Sequence, residues 1–259
     1  MLKHSFSHIT GVSQQTEQSL WEQGCTSWDD YLRDPARFKT GSATTESLIR
    51  GVNESQAALA GNDYSYFSKL LGLGESWRAW PEFREKTVYL DIETDGGNTG
   101  NAVTLIGLYD SKGFTALVKG DNLEEFSDII SGYSMVVTFF GSGFDIPMLK
   151  KRFGAVEFDQ IHLDLCHSMK RIGYRGGLKK IEKQLGINRG DDTDGLNGMD
   201  AIRLWREHLR GNKSSLEQLI AYNREDVVNL EVLTRVAYDG LSKSVGMPIL
   251  YEAQGLEQL

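Results

Sequence analysis

The stretch Val88-Tyr89-Leu90-Asp91-Ile92-Glu93-Thr94 decides how the rest of the chain is read. Its β-branched and aromatic residues favour a strand. Side chains alternate along a strand, so Asp91 and Glu93 face one way while Leu90 and Ile92 face the other. One face of an antiparallel sheet can simply be wet, which would account for alternating acids. Acids are poor strand formers, however, and two on one face of an otherwise apolar strand are costly without a partner.

That partner is sought far downstream. Leu219, Tyr222, Asp226, Leu230, Leu233 and Ala237 recur at helical spacing and form one apolar stripe. Asp226 therefore falls on the face that should bury. A buried carboxylate needs a cation or several donors; an ion pair with an arginine at the core edge would serve, and so would a metal. Asp145, in Gly143-Phe144-Asp145-Ile146-Pro147, stands where a helix begins and reads as an N-cap with Pro147 in the first turn. If these elements converge, four carboxylates and a tyrosine meet. Clustered acids resist ionisation unless a cation neutralises them. Oxygen-only donors suit Mg²⁺ or Mn²⁺, and two such ions can clamp the attacking and leaving oxygens of a phosphodiester.

Asp-Ile-Glu-Thr on a strand, Phe-Asp-x-Pro before a helix and Tyr-x-x-x-Asp on a late helix resemble the tyrosine-type branch of the DnaQ-like 3′–5′ exonucleases, which have a ribonuclease H-like fold. The likeness is greatest to the bacterial YprB-like group. It extends through Trp80-Pro81-Glu82-Phe83-Arg84, His162-Leu163-Asp164-Leu165, Gly173-Tyr174-Arg175-Gly176-Gly177-Leu178-Lys179 and Leu204-Trp205. Each motif is weak alone; their order and spacing are specific. The resemblance implies an α/β protein with a mixed sheet, antiparallel strands then parallel, flanked by helices. It implies two Mg²⁺ or Mn²⁺ ions held by Asp91, Glu93, Asp145 and Asp226, with Tyr222 orienting the nucleophilic water. The histidine-type relatives have a His where this chain has Ala221. Thr94 would meet the terminal sugar. The family's Asn ahead of Asp145 is missing from Phe139-Phe140-Gly141-Ser142-Gly143, so Phe140 and Phe144 are candidates to stack on a terminal base. Arg175 and Lys179 would contact phosphates. The implied partner is DNA or RNA, with a single-stranded 3′ end, and the implied products are nucleoside 5′-monophosphates. A nucleic-acid-binding adaptor with an idle site, or an endonuclease on the same fold, stays open.

The 259 residues suffice for one sizeable core and a small accessory unit. Cys25 and Cys166 are the only cysteines, which argues against a disulfide framework or a zinc site. No secretory leader or membrane-spanning run is visible, so a cytoplasmic location is the default expectation. A net charge of −8 excludes a generally basic surface. Between Lys170 and Arg189, however, seven Lys/Arg stand against the single acid Glu182. That run is either a solvated helix face or a phosphate track.

Residues 1–40 read as a helical unit. Ile9-Thr10-Gly11-Val12-Ser13 is a turn, Gly24 a helix stop, and the whole resembles a helix-hairpin-helix with Ser13 in place of its second glycine. Residues 41–84 read as a helical linker, its second helix ending near Gly72, with Trp77, Trp80 and Phe83 joining it to the sheet. Residues 85–240 form the ribonuclease H-like domain and 241–259 a tail. Strands are expected at 87–93, 101–109, 113–119, 135–139 and 161–165. The short connections among the first three favour antiparallel pairing. Helices are expected at 122–131, 145–153, 166–172, 177–185, 198–210 and 214–238.

Overall fold

A computed structural model describes residues 1–190 and 192–247. Its centre is a five-stranded sheet in the order β3-β2-β1-β4-β5. The strands are β1 (Thr87–Thr94), β2 (Val103–Asp110), β3 (Gly113–Val118), β4 (Met135–Thr138) and β5 (Ile161–Asp164). The β1–β2 and β2–β3 pairs are antiparallel, while β1–β4 and β4–β5 are parallel. This is the mixed, helix-flanked sheet expected of a ribonuclease H-like fold.

β1 is buried on both faces. Val88, Leu90 and Ile92 join a cluster with Ile106, Val136, Phe126 and Leu149. Tyr89 joins the other large cluster, with Val137, Leu163, Val227 and Leu230. Two helices cover the first face, α6 (Phe126–Ile130) and α7 (Asp145–Arg152). The second lies under α8 (Leu165–Arg171), α9 (Leu178–Gln184), α10 (Gly198–Leu209) and the 32-residue α11 (Lys213–Ser244).

α11 buries the stripe Leu219, Tyr222, Asp226, Leu230, Leu233 and Ala237 against the sheet. It runs past the expected end at 238 and buries Leu241 as well. Gly240 lies inside it, where a Cβ would meet Ile172 at 2.8 Å, so the glycine lets the helix pack closely. Of the proposed tail, residues 248–259 lie outside the described residues. β2 starts at Val103, later than expected, after a 3₁₀ turn at Gly100–Ala102.

The N-terminal region holds α1 (Gln14–Glu22), α2 (Trp28–Arg33), α3 (Ser42–Ala60), α4 (Tyr64–Glu75) and the short α5 (Trp80–Phe83). Ser13 caps α1 through the Thr16 amide. α4 continues through a kink at Gly72, where φ is 57°. Arg78 is fully buried, paired with Glu17 at 3.1 Å and Glu75 at 2.5 Å. Glu17 also accepts from Ser5 Oγ and from the Phe6 and Ser7 amides. Trp77 and Trp80 pack on Tyr238 of α11, joining the helical region to the sheet.

Candidate functional site

β4 pairs with β1 only as far as Tyr89. Beyond that point the side of β1 away from β2 is open, and the Phe139–Phe144 loop and the start of α7 fill it. Asp145 Oδ1 accepts the Ile92 amide at 3.1 Å, as a neighbouring strand's carbonyl would. Asp145 is thus the first residue of α7 and not its cap; Phe144 holds the cap position with no side-chain hydrogen bond. The N-cap reading fails because this carboxylate is used across the fold.

Ligand-capable oxygens of Asp91, Glu93 and Asp226 all lie within 4.8 Å of one another. Asp91 is half-buried, while Glu93, Asp145 and Asp226 are buried. Burial first, then the neighbouring Asp145 and Asp226, hold the Asp91 carboxyl well above the usual range. Burial and Asp226 push Glu93 up to about 8. Burial raises Asp145 to about 7, against the lowering effect of backbone donors. Asp226 is also raised by burial, opposed by Arg189. Two oxygens on one Mg²⁺ are at most about 4.2 Å apart, so small side-chain movements would close this cluster onto one ion. An all-oxygen, mutually repelling donor set fits a hard divalent cation.

Tyr222 lies one helical turn before Asp226, at 6% exposure. Lys179 Nζ donates to its hydroxyl at 2.8 Å, stands 4.2 Å from the ring centroid and also donates to the Leu196 carbonyl. Lysine offers only donors, so the Tyr222 oxygen accepts here and its own proton is free to be donated. Burial, then Asp226 and Glu93, raise the Tyr222 pKa, so the phenol stays protonated at neutral pH.

A cleft of about 360 Å³ opens over the acids. It is lined by Asp91, Glu93, Thr94, Phe140, Phe144, Asp145, Tyr222 and Asp226, with Ile202 of α10 on its wall. Phe140 is 55% exposed and has φ 65°, rare for a side chain of this size. Asp164 fixes it there, accepting the Phe140 amide at 2.8 Å and the Ser142 amide at 3.0 Å. Phe144 is 41% exposed. A larger surface hollow, about 610 Å³ between Phe114 and Arg224, contains none of the four acids.

Eight of the ten residues singled out in sequence line this cleft. Lys179 meets it through Tyr222; exposed Arg175 is not among the lining residues. The basic run is dispersed: Arg171 pairs with Glu75, and Arg189 is buried with Glu182. His162 shares a hydrogen bond with Thr138 on the neighbouring strand.

Three residues at the site were not read from the sequence. Asn223 Nδ2 donates to Asp91 Oδ2. Gly107, opposite Asp91 in the β1–β2 register, makes room for that amide. Arg189 joins Glu182 through two bonds of 2.8 Å and also donates to Asp226 Oδ1. Asn223 had one available signal, a polar residue flanking Tyr222 on a face that buries.

A family model described as the RNase H superfamily matches residues 88–238, more than half of the chain. Among solved structures, the chain is similar to a family B DNA polymerase from the hyperthermophilic archaeon Pyrobaculum calidifontis, at 17% identity and a TM-score of 0.44. That likeness covers 61% of this chain and 24% of the polymerase, about a quarter of its length. No protein with a curated description matches the sequence. Among the described residues, no helix is long and apolar enough to cross a membrane.

Proposed function

This chain belongs to the RNase H superfamily, and from that premise we propose that it is a metal-dependent nuclease. More narrowly, we read it as a 3′–5′ exonuclease of the tyrosine-type, YprB-like branch that works on single-stranded ends of DNA or RNA in the cytoplasm. The observation that carries this reading is the convergence of the Asp91, Glu93 and Asp226 oxygens within 4.8 Å. Asp145, the first residue of α7, stands beside them and accepts the Ile92 amide of the strand that carries Asp91 and Glu93.

Asp91, Glu93 and Asp226 would hold one Mg²⁺ or Mn²⁺, and Asp145 with Asp91 a second. Such ions supply positive charge against the phosphate and lower the pKa of the attacking water. Tyr222 orients that water through its free proton, a positioning role and not a general base. Phe140 and Phe144 offer aromatic faces to the terminal base. Thr94, which lines the cleft, would meet the terminal sugar, and Lys179 and Arg175 would supply charge to phosphates. Residues 85–240 carry this chemistry.

End-labelled DNA and RNA, incubated with the protein and Mn²⁺ or with EDTA, test the proposal. The expected result is a Mn²⁺-dependent ladder receding from the 3′ end, absent in EDTA. Internal cuts would make the protein an endonuclease. Binding with no cleavage of either polymer would make it an adaptor.

A further inference from the structure

Arg189 lies in the loop between α9 and α10, and that loop is tied to α11. The Gly190 amide donates to Glu225 at 2.8 Å, and Thr193 Oγ1 donates to the same carboxylate. The Arg189 side chain is 5% exposed and its partner Glu182 1%. Glu182 is gripped by both Nε and Nη2 of Arg189 at 2.8 Å and by Asn229 Nδ2 at 2.9 Å. The guanidinium therefore cannot swing into water; its position is built. From there Nη2 also donates to Asp226 Oδ1, and Nη1 is buried with no hydrogen-bond partner among the described residues.

Asp226 is one of the three carboxylates that converge on a common point. A guanidinium bonded to one of its oxygens neutralises part of the charge a metal would use, and repels a divalent ion placed next to it. A bidentate, always-charged arginine does this at every pH at which the protein folds.

We propose that Arg189 is the protein's own cation at the acidic cluster, competing with a divalent metal for Asp226 and so setting the metal concentration at which the site fills. This rests on reading the acids as a metal site. Arg189 is then a positioning residue: it holds Asp226 by itself and yields that carboxylate when a metal is abundant enough. Glu182 keeps the displaced guanidinium from leaving.

The test is direct Mn²⁺ binding to the full chain, without nucleic acid, by isothermal titration or by the electron paramagnetic resonance of free Mn²⁺. The variant is the double substitution Glu182→Gln with Arg189→Met. It leaves net charge unchanged, removes the buried pair together, and keeps a partner for Asn229. A change in affinity then reports the contact with Asp226 and not overall charge. Mn²⁺ should bind about tenfold more tightly or better than to the natural chain. Arg189→Lys keeps a cation but cannot reach both carboxylates as a fork, so it should shift affinity in the same direction by less; it decides the matter if the double variant does not fold. An affinity within twofold of the natural chain, or a weaker one, in a folded variant overturns the proposal. Asp226→Asn separates this failure from that of the metal site: natural protein whose Mn²⁺ binding is lost in Asp226→Asn has the site, whatever Arg189 does. Absence of Mn²⁺ binding to the natural chain removes both.

Discussion

Asn223 donates its side-chain amide to Oδ2 of Asp91 at 2.9 Å, across a gap that exists because residue 107 of the facing strand is glycine. A Cβ at Gly107 would come within 1.8 Å of Asn223 Oδ1, a clash that only displacement of the amide relieves. Asn223 is itself fully buried, so it has no open space to retreat into. Gly107→Ala is therefore expected to disturb the orientation of Asp91 without touching any acid. Overpacking of this kind costs about 1–3 kcal/mol, and a small misplacement of a reacting group costs up to about 10² in rate. Melting temperature and turnover on one preparation check this. Wild-type turnover with a lowered melting temperature would reduce Asn223 to a packing residue.

Asp145 separates two effects that usually travel together. Its charge is repelled by the neighbouring acids, while its oxygen satisfies the buried Ile92 amide. Asp145→Asn keeps the acceptor and removes the charge, so it should raise the melting temperature in EDTA. Asp145→Ala also relieves repulsion but orphans a buried N–H, at a cost of about 1–3 kcal/mol, and should be the less stable of the two. Both should lose cleavage. Equal stability of the pair in EDTA would mean that the Ile92 bond contributes nothing.

Tyr222→Phe removes a hydroxyl proton free to orient water and leaves the ring beneath Lys179. The rate constant should fall by about 10² while the substrate KM changes little. Single-turnover kinetics read the step directly. A rate within twofold of wild type, with chemistry limiting, would take Tyr222 out of the mechanism.

Stability in EDTA should fall as pH rises from about 6.5 to 8. Glu93 moves from 4.5 to about 8 and Asp145 from 3.8 to about 7 on folding. Groups with raised folded-state pKa favour the folded state when protonated, and that advantage is lost as pH rises through the folded values. Below 6.5 His4, His8 and His162, whose pKa values burial lowers, oppose the trend, so the clean window lies above it. Glu93→Gln should flatten the slope, and so should Mg²⁺. A natural-chain slope equal to that of Glu93→Gln would show that Glu93 does not titrate in this window.

Much of this architecture was legible because it rests on periodicity. Alternation put Asp91 and Glu93 on one face of β1, and the repeat from Leu219 to Ala237 put Tyr222 and Asp226 on the buried face of α11. Short connections foretold the antiparallel half of the sheet. Taken alone, Asp145 reads as a cap, because local sequence weighs a helix start more heavily than a distant strand; Phe144 holds the cap instead. Arg189 is in an irregular loop with no repeat to report its direction, and its charge counted only toward a basic run. Gly107 is visible as a glycine, but what it makes room for is more than a hundred residues away.

The buried Arg78–Glu17 pair has a consequence for how the chain is made. Glu17 emerges 61 residues before its partner. At about 5–20 residues per second of synthesis, that is a wait of roughly 3–12 seconds. During it the carboxylate has only the Ser5 hydroxyl and the Phe6 and Ser7 amides to hold it. The buried Glu17–Arg78 pair can therefore close only after the segment leading into β1 has appeared, and nascent chains arrested before Arg78 would carry an unmatched acid in a core still waiting to close.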